Sequence, residues 1–283
     1  MTDAIWLARC RTEAGVVQHL RCTTNGAAPG PMQAWEPIAD PFAGSGGELG
    51  DVWSVVDASP ALGDAAPLGL RQLLPPCVPR AIFGIGRNYR EHAQEMGGEV
   101  PATPLTFLKA PACLLASGDA LELPRGYARI DMESELVVVI GRRARRVSAE
   151  RAWDHVAGYL LGNDVSNRDL QRADGQWTRA KGFDGFGPVS AFLRLTPPGW
   201  ALPVERLELC GYLDDVPVQR SEVAKMVFSI PALIEHLSEG MTLAPGDLIF
   251  TGTPAGVSAL SPGCVVRVEL RGLELGPLVT PVV

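Results

Sequence analysis

The chain has 283 residues, 46% hydrophobic and 20% charged, with a net charge of −7. Such a composition suits one large or two smaller globular units with a substantial core, and the acidic balance excludes nucleic acid and anionic membrane as natural partners. No apolar run reaches the roughly 18 residues of a membrane span, "MTDAIWLARCRTEAG" lacks the apolar core of a signal peptide, and the six cysteines (Cys10, Cys22, Cys77, Cys113, Cys210, Cys264) contain no CxxC pair. Zinc-ribbon and disulfide-scaffold classes are thereby excluded, and a reduced, cytoplasmic setting is expected.

In chain order, "AIWLARC" and "VVQHLRC" read as strands joined by a hairpin at Thr12-Glu13-Ala14-Gly15. The following stretch to "LLPPCVPR" is rich in Gly and Pro and carries no titratable constellation. Residues 1–76 are expected to form a small, mostly β N-terminal domain, and 77–283 a second domain.

"AIFGIG" reads as a buried strand. "GIGRNYREHAQEM" then sets Arg87 and Asn88 after a glycine, with His92 and Glu95 three residues apart. On one helical turn those two lie side by side, so Glu95 is able to orient the imidazole of a base that activates water; an exposed pair is the alternative. "GDALELP" reads as a strand after a Gly-Asp turn. "IDMESELVVVIG" reads as one strand with Asp131, Glu133 and Glu135 on the face shared with Val137 and Val139. Taken alone, that pattern fits a sheet with one wet face; the alternative is a set of oxygens facing a hard cation. The basic cluster Arg142, Arg143, Arg145 and Arg146 reads as a solvated turn.

"SAERAWDHVAGY" predicts a helix capped by Ser148, and "YLLGNDVS" a strand that ends at Asp164, a third oxygen donor or a turn aspartate. "NRDLQRADG" is a short helix closed by Gly175, presenting Arg168 and Gln171 on one face. Lys181 lies among glycines and aromatics in "RAKGFDGFGP", where it either snorkels or holds a substrate oxyanion. "SIPALIEHLSEG" is a helix stopped near Gly240, "APGD" a turn, and "LIFTGTPAGV" a strand entering a loop whose hydroxyls and N–H groups suit a carboxylate. Many short strands with few helices and no regular βα alternation predict a sheet-dominated α+β fold, not a Rossmann sheet or a TIM barrel. No phosphate-binding glycine loop and no serine-nucleophile elbow is present.

The order "GRNYREHAQEM", "TFLK", "MESELVVVIGRRAR", "GNDVSNRDLQ", "GQWTRAKGFDGFGPVS", "MVFSIPALIEHLSEGMTLAPGDLIFTGTPAGV" resembles the catalytic domain of the fumarylacetoacetate hydrolase family, from about Ile82 to Gly256 and more loosely to the end. The resemblance implies a mixed β-sandwich or roll, a homodimer, and Mg²⁺ or Mn²⁺ held by Glu133, Glu135 and Asp164. It implies catalytic roles for His92, Glu95 and Lys181. It associates Gln171 and Thr253, and with them Arg87, Asn88 and Arg168, with substrate contact. The implied substrate is a small 2-oxo acid. One implied reaction is C–C hydrolysis of a 2,4-dioxo acid (an acylpyruvate) to pyruvate and a carboxylic acid through a metal-stabilised enolate. The alternatives at the same site are oxaloacetate decarboxylation and isomerisation of a 2-hydroxymuconate-type diacid in aromatic catabolism. Two positions depart from the family pattern: Gly182 stands where Ser often follows the lysine, and Asn167 where Ala often precedes the arginine.

Overall fold

The computed structural model describes residues 3–30, 32–43, 51–58, 60–69 and 71–283; the Gly-rich run 44–50 noted in the sequence lies outside them. The predicted hairpin forms between Ala4–Arg11 and Val17–Thr24. Gly15, at φ +82°, takes the left-handed turn position, and the Thr12 hydroxyl accepts from Val16 N at 3.2 Å.

These strands extend the large sheet. Ala4–Arg11 pairs with Leu193–Leu195, which leads through Val156–Asn163, Ser134–Ile140, Leu248–Phe250 and Ile82–Gly86 to the edge strand Leu105–Lys109. Every residue of Val156–Asn163 and Ser134–Ile140 is buried, as expected for central strands covered on both faces. At Gly158 a side chain has no room: an added Cβ would sit 1.9 Å from the Arg194 carbonyl oxygen, where the ladder shifts register.

A four-stranded antiparallel sheet, ordered Val216–Glu222, Glu208–Leu213, Val265–Arg271 and Leu278–Pro281, packs over the centre of the first. The two share one core in which Val137, Val139 and Leu161 join Leu209, Val266 and Val268. Among the described residues the only other sheet is a three-stranded one formed by Ile130–Met132, Ser166–Asn167 and Ser258–Ala259. The sheet-dominated α+β prediction therefore holds, in sandwich form.

Three local expectations need correction. "IDMESELVVVIG" is two strands in two sheets, Ile130–Met132 and Ser134–Ile140, broken at Glu133. No face of it is wet: Asp131 is 0% exposed, Glu133 4% and Glu135 1%. The segment Ala149–His155 is a 3-10 helix, and Ser148 accepts no capping hydrogen bond from its side chain. "GDALELP" forms no strand; its pairing reduces to a parallel bridge between Leu121 and Val282, with Leu121 N donating to Pro281 O at 2.8 Å, before Pro124 ends it.

The remaining helices are short apart from Ile230–Gly240, capped by the Ser229 hydroxyl. Among the described residues no helix is long and apolar enough to cross a membrane. All six cysteines are free and buried.

Candidate active site

The break at Glu133 builds the site. Where the chain leaves the small sheet for the large one, Glu133 N donates to Asn163 Oδ1 at 2.8 Å and Asp164 N donates to Glu133 O at 2.8 Å. The end of Val156–Asn163 is thereby stitched to the start of Ser134–Ile140. The stitch brings the carboxylates of Glu133, Glu135 and Asp164 together, with one oxygen from each lying within 4.8 Å of the others. All three are buried. Three convergent, buried hard-oxygen donors fit a small divalent cation such as Mg²⁺ or Mn²⁺.

Cations surround the cluster. Lys181 Nζ donates to Glu133 Oε2 at 2.7 Å and Asp164 Oδ2 at 2.5 Å. Arg168 fans out to Glu133 Oε1 at 2.6 Å, Asp131 Oδ2 at 2.8 Å and Gln171 Oε1 at 2.8 Å. Burial opposes the charge on Glu133, but Lys181, Arg168 and His92 outweigh it and hold its carboxyl well below the usual range. Glu135 goes the other way. Burial, then the charges of Asp164 and Glu133, push it well above the usual range, against the pull of Lys181 and the Gly252 N–H. A carboxylate crowded in this way gains most from an added cation.

The polar loop 251–256 does bind carboxylates, and they are the chain's own. Gly252 N donates to Glu135 Oε2 at 2.7 Å, and Gly256 N donates to Glu95 Oε1 at 3.0 Å. Gly252 is at φ +104° and an added Cβ would lie 2.6 Å from Asn88 Cβ, so glycine is required there. The Thr253 hydroxyl donates to Ser134 O at 2.9 Å and accepts from Gln219 Nε2 at 2.8 Å.

His92 and Glu95 meet on the helix Arg90–Glu95, with Nδ1 3.2 Å from Glu95 Oε2. The tautomer in which Nδ1 donates leaves Nε2 with its lone pair free. His92 lines a cavity of about 270 Å³ together with the three acidic residues, Arg168, Gln171, Lys181, Thr253 and Arg87. Arg87 adopts φ +56°, a strained conformation for a non-glycine residue, directly at the cavity wall.

Nine of the eleven residues singled out in the sequence thus line one cavity. Glu95 stands behind His92. Asn88 is not part of the wall: its amide donates to Thr251 O at 2.7 Å and Phe228 O at 3.1 Å and accepts from Phe228 N at 2.7 Å. Backbone groups thus take three of the four hydrogen bonds its amide can make. Asn167 caps the helix Arg168–Ala173, accepting from Asp169 N and Leu170 N at 3.1 and 3.2 Å. Gly182 ends the turn Thr178–Lys181, where an added Cβ would meet Thr178 O at 2.5 Å.

Sequence reasoning missed Lys109, the aromatic wall and Gln219. Phe107 and Trp177 pack edge to face at 5.3 Å, and Lys181 Nζ lies 5.1 Å from the Phe107 ring. A signal for Lys109 was available: the chain has 22 arginines and only three lysines, and two of those lysines are buried at this site.

Against known proteins, the family profile "Fumarylacetoacetate (FAA) hydrolase C-terminal" matches residues 81–283. The chain belongs to the fumarylacetoacetate hydrolase family. The mitochondrial oxaloacetate decarboxylase of Dictyostelium discoideum is 38% identical over 200 residues, 69% of this chain and 90% of that protein. The crystal structure of 5-carboxymethyl-2-hydroxymuconate delta-isomerase from Mycobacterium smegmatis is 33% identical and covers 98% of both chains, with a TM-score of 0.79. That of fumarylpyruvate hydrolase from Pseudomonas aeruginosa, in complex with Mn²⁺ and pyruvate, is 32% identical and covers 76% of this chain and 93% of that one, with a TM-score of 0.65. Family membership thus makes the chain an enzyme of a group that includes hydrolases, decarboxylases and isomerases.

Proposed function

We propose that the chain is a divalent-metal-dependent hydrolase that cleaves a 2,4-dioxo acid of the acylpyruvate type to pyruvate and a carboxylic acid, acting as a homodimer. The observation that carries this reading is the convergence of a buried three-carboxylate cluster and an oriented His92–Glu95 pair on one small cavity. The hydrolase neighbour crystallised with Mn²⁺ and pyruvate supports it.

In this reading Glu133, Glu135 and Asp164 would hold Mg²⁺ or Mn²⁺, which would supply Lewis-acid charge to a bound 2-oxo acid. His92, kept in one tautomer by Glu95, takes a proton from water through Nε2 as the oxygen adds to the C4 carbonyl. The C3–C4 bond then breaks, C4 leaves as the carboxylic acid, and C3 receives a proton to complete pyruvate. Lys181, with two N–H donors on Glu133 and Asp164, offers its third to the negative charge that develops on the pyruvate half. Arg168 and Gln171, locked to each other, fix one wall, while Arg87 and Thr253 bound the space left for the acyl group.

A second reading, isomerisation of a 2-hydroxymuconate-type diacid, is favoured by the match of the whole chain to an isomerase structure; it uses the same cation and proton carriers without water. Pyruvate release from acetylpyruvate with Mg²⁺, beside an EDTA control, tests the first reading. Metal-dependent release supports hydrolysis. A metal-loaded protein that releases none, yet shifts the absorbance of a hydroxymuconate-type diacid, replaces it with isomerisation.

A further inference from the structure

Lys109 closes the edge strand Leu105–Lys109, and its side chain is fully buried. Its ammonium donates to Asp164 Oδ1 at 2.6 Å, to the backbone oxygen of Lys181 at 2.6 Å and to the backbone oxygen of Phe186 at 3.0 Å. An ammonium has three N–H donors, and all three are used. None remains for a substrate, so Lys109 is not placed to do chemistry itself.

What it holds is informative. Asp164 takes Lys109 on Oδ1 and Lys181 on Oδ2, so both ends of its carboxylate are fixed. The same Lys109 ammonium grips the backbone of Lys181, the residue whose side chain reaches Glu133 and Asp164. One point charge therefore ties a carboxylate of the metal cluster to the turn Thr178–Lys181. The three acceptors converge on a single atom, a geometry that suits a compact ammonium and not the planar five-donor fork of arginine. A chain that otherwise uses arginine for 22 of its 25 Lys and Arg residues keeps lysine here.

We propose that Lys109 is a positioning residue for the metal centre, fixing Asp164 and the Lys181 turn in one frame and thereby setting affinity for the divalent cation. The inference rests on the metal-site reading above. Its rival is charge compensation. Four buried acids (Asp131, Glu133, Glu135, Asp164) face three buried cations (Lys109, Lys181, Arg168) and the half-exposed Arg129, which pairs with Asp131 at 2.8 Å, so the charges balance. If Lys109 only balanced charge, its removal would leave the cluster more negative and a divalent cation would bind more tightly. A positioning role predicts the opposite sign.

The experiment is Mn²⁺ titration of the full chain by calorimetry, comparing wild type, Lys109→Met and, as control, Lys225→Met at an exposed lysine. Positioning predicts a Kd for Mn²⁺ raised about tenfold or more in Lys109→Met, the usual effect of removing a residue that orients a metal ligand, with Lys225→Met unchanged. Equal or tighter binding by a folded Lys109→Met protein overturns the proposal while leaving the metal site intact. Wild type that binds no Mn²⁺ instead overturns the metal-site reading, and this inference with it. If Lys109→Met does not fold, the wild-type ammonium is observed directly by ¹⁵N-lysine NMR, assigned among only three lysines through Lys225→Arg and Lys181→Arg. A Lys109 signal protected from exchange both with and without Mg²⁺ supports the frame; its absence, or its loss on adding Mg²⁺, refutes it.

Discussion

Glu95→Gln tests the proposed base with a magnitude the structure supplies. Glu95 Oε2 lies 3.2 Å from His92 Nδ1, and both carboxylate oxygens accept from Gly256 N, at 3.0 and 3.2 Å. Glutamine keeps an oxygen for Gly256 and an atom near His92 but removes the charge that stabilises the imidazolium formed when His92 takes a proton. Coulomb's law across 3.2 Å gives about 1.3 kcal/mol at the dielectric of water and about 5 kcal/mol at an effective constant of 20. Glu95 is about one-third exposed, which places the pair toward the lower figure, about 1.5–2 kcal/mol. At 1.36 kcal/mol per decade, kcat for pyruvate release should fall about 10–30-fold. His92→Ala should cost about 10²–10⁴-fold, the usual contribution of a general base. Because Glu95 acts through His92, its effect should vanish in the His92→Ala background. Two results refute the assignment: His92→Ala with full activity, or a Glu95→Gln loss that persists undiminished without His92.

Asp247 accepts from Arg80 N, Ala81 N and Ala244 N at 3.0, 2.8 and 2.7 Å, so Asp247→Ala strands three N–H groups at the root of Ile82–Gly86; a loss of about 4 kcal/mol and a Tm lowered by on the order of 10 °C are expected in a thermal melt. Burial holds His19 and His155 below the ordinary histidine range, in His19 against Asp40. The unfolded chain therefore binds more protons at these sites, and their contribution to stability is full above about pH 6.5 and lost as pH falls through the folded values. Denaturant unfolding at pH 7.5 and pH 5 should show a smaller acid loss in the His19→Gln/His155→Gln protein than in wild type; equal losses would sink the argument. Asp164→Asn removes a charged ligand and should weaken Mn²⁺ binding at least tenfold in the same calorimetric titration.

The elements legible in the sequence were those set by local rules. The hairpin at Gly15, the short helix closed before Gly175, and the helix ending at Gly240 each follow from residues within one turn of the feature. The His92–Glu95 contact was legible for the same reason, since three residues on a helix fix the distance. Long-range choices were not. Asn88 finds Phe228 and Thr251 across 140 and 163 residues, and no spacing rule announces which backbone groups a buried amide will take. The break at Glu133 was hidden because alternation continues through it unchanged, while the partner strand differs on either side. Neighbouring-residue logic weighed Lys181 alone and passed over Lys109, whereas the scarcity of lysine in this chain was the relevant signal.

The loop 251–256 explains how such a site tolerates its own charge. Three buried carboxylates repel one another, and Glu135 has no lysine or arginine within hydrogen-bond reach among the described residues. Its stabilising donor is a backbone N–H, which carries no net charge and so does not compete for the position of a cation. A few residues on, the same loop donates Gly256 N to Glu95 and so fixes the partner of His92. Glu135 of the cluster and the partner of the base are thus oriented by one segment with positive-φ glycines at 252 and 256, where a side chain would meet Asn88 or the Val218 carbonyl oxygen. Because both carboxylates depend on one backbone, a displacement of this loop would move Glu135 and the partner of His92 together. That coupling is why the strand Leu248–Phe250 must be held as firmly as Asp247 holds it.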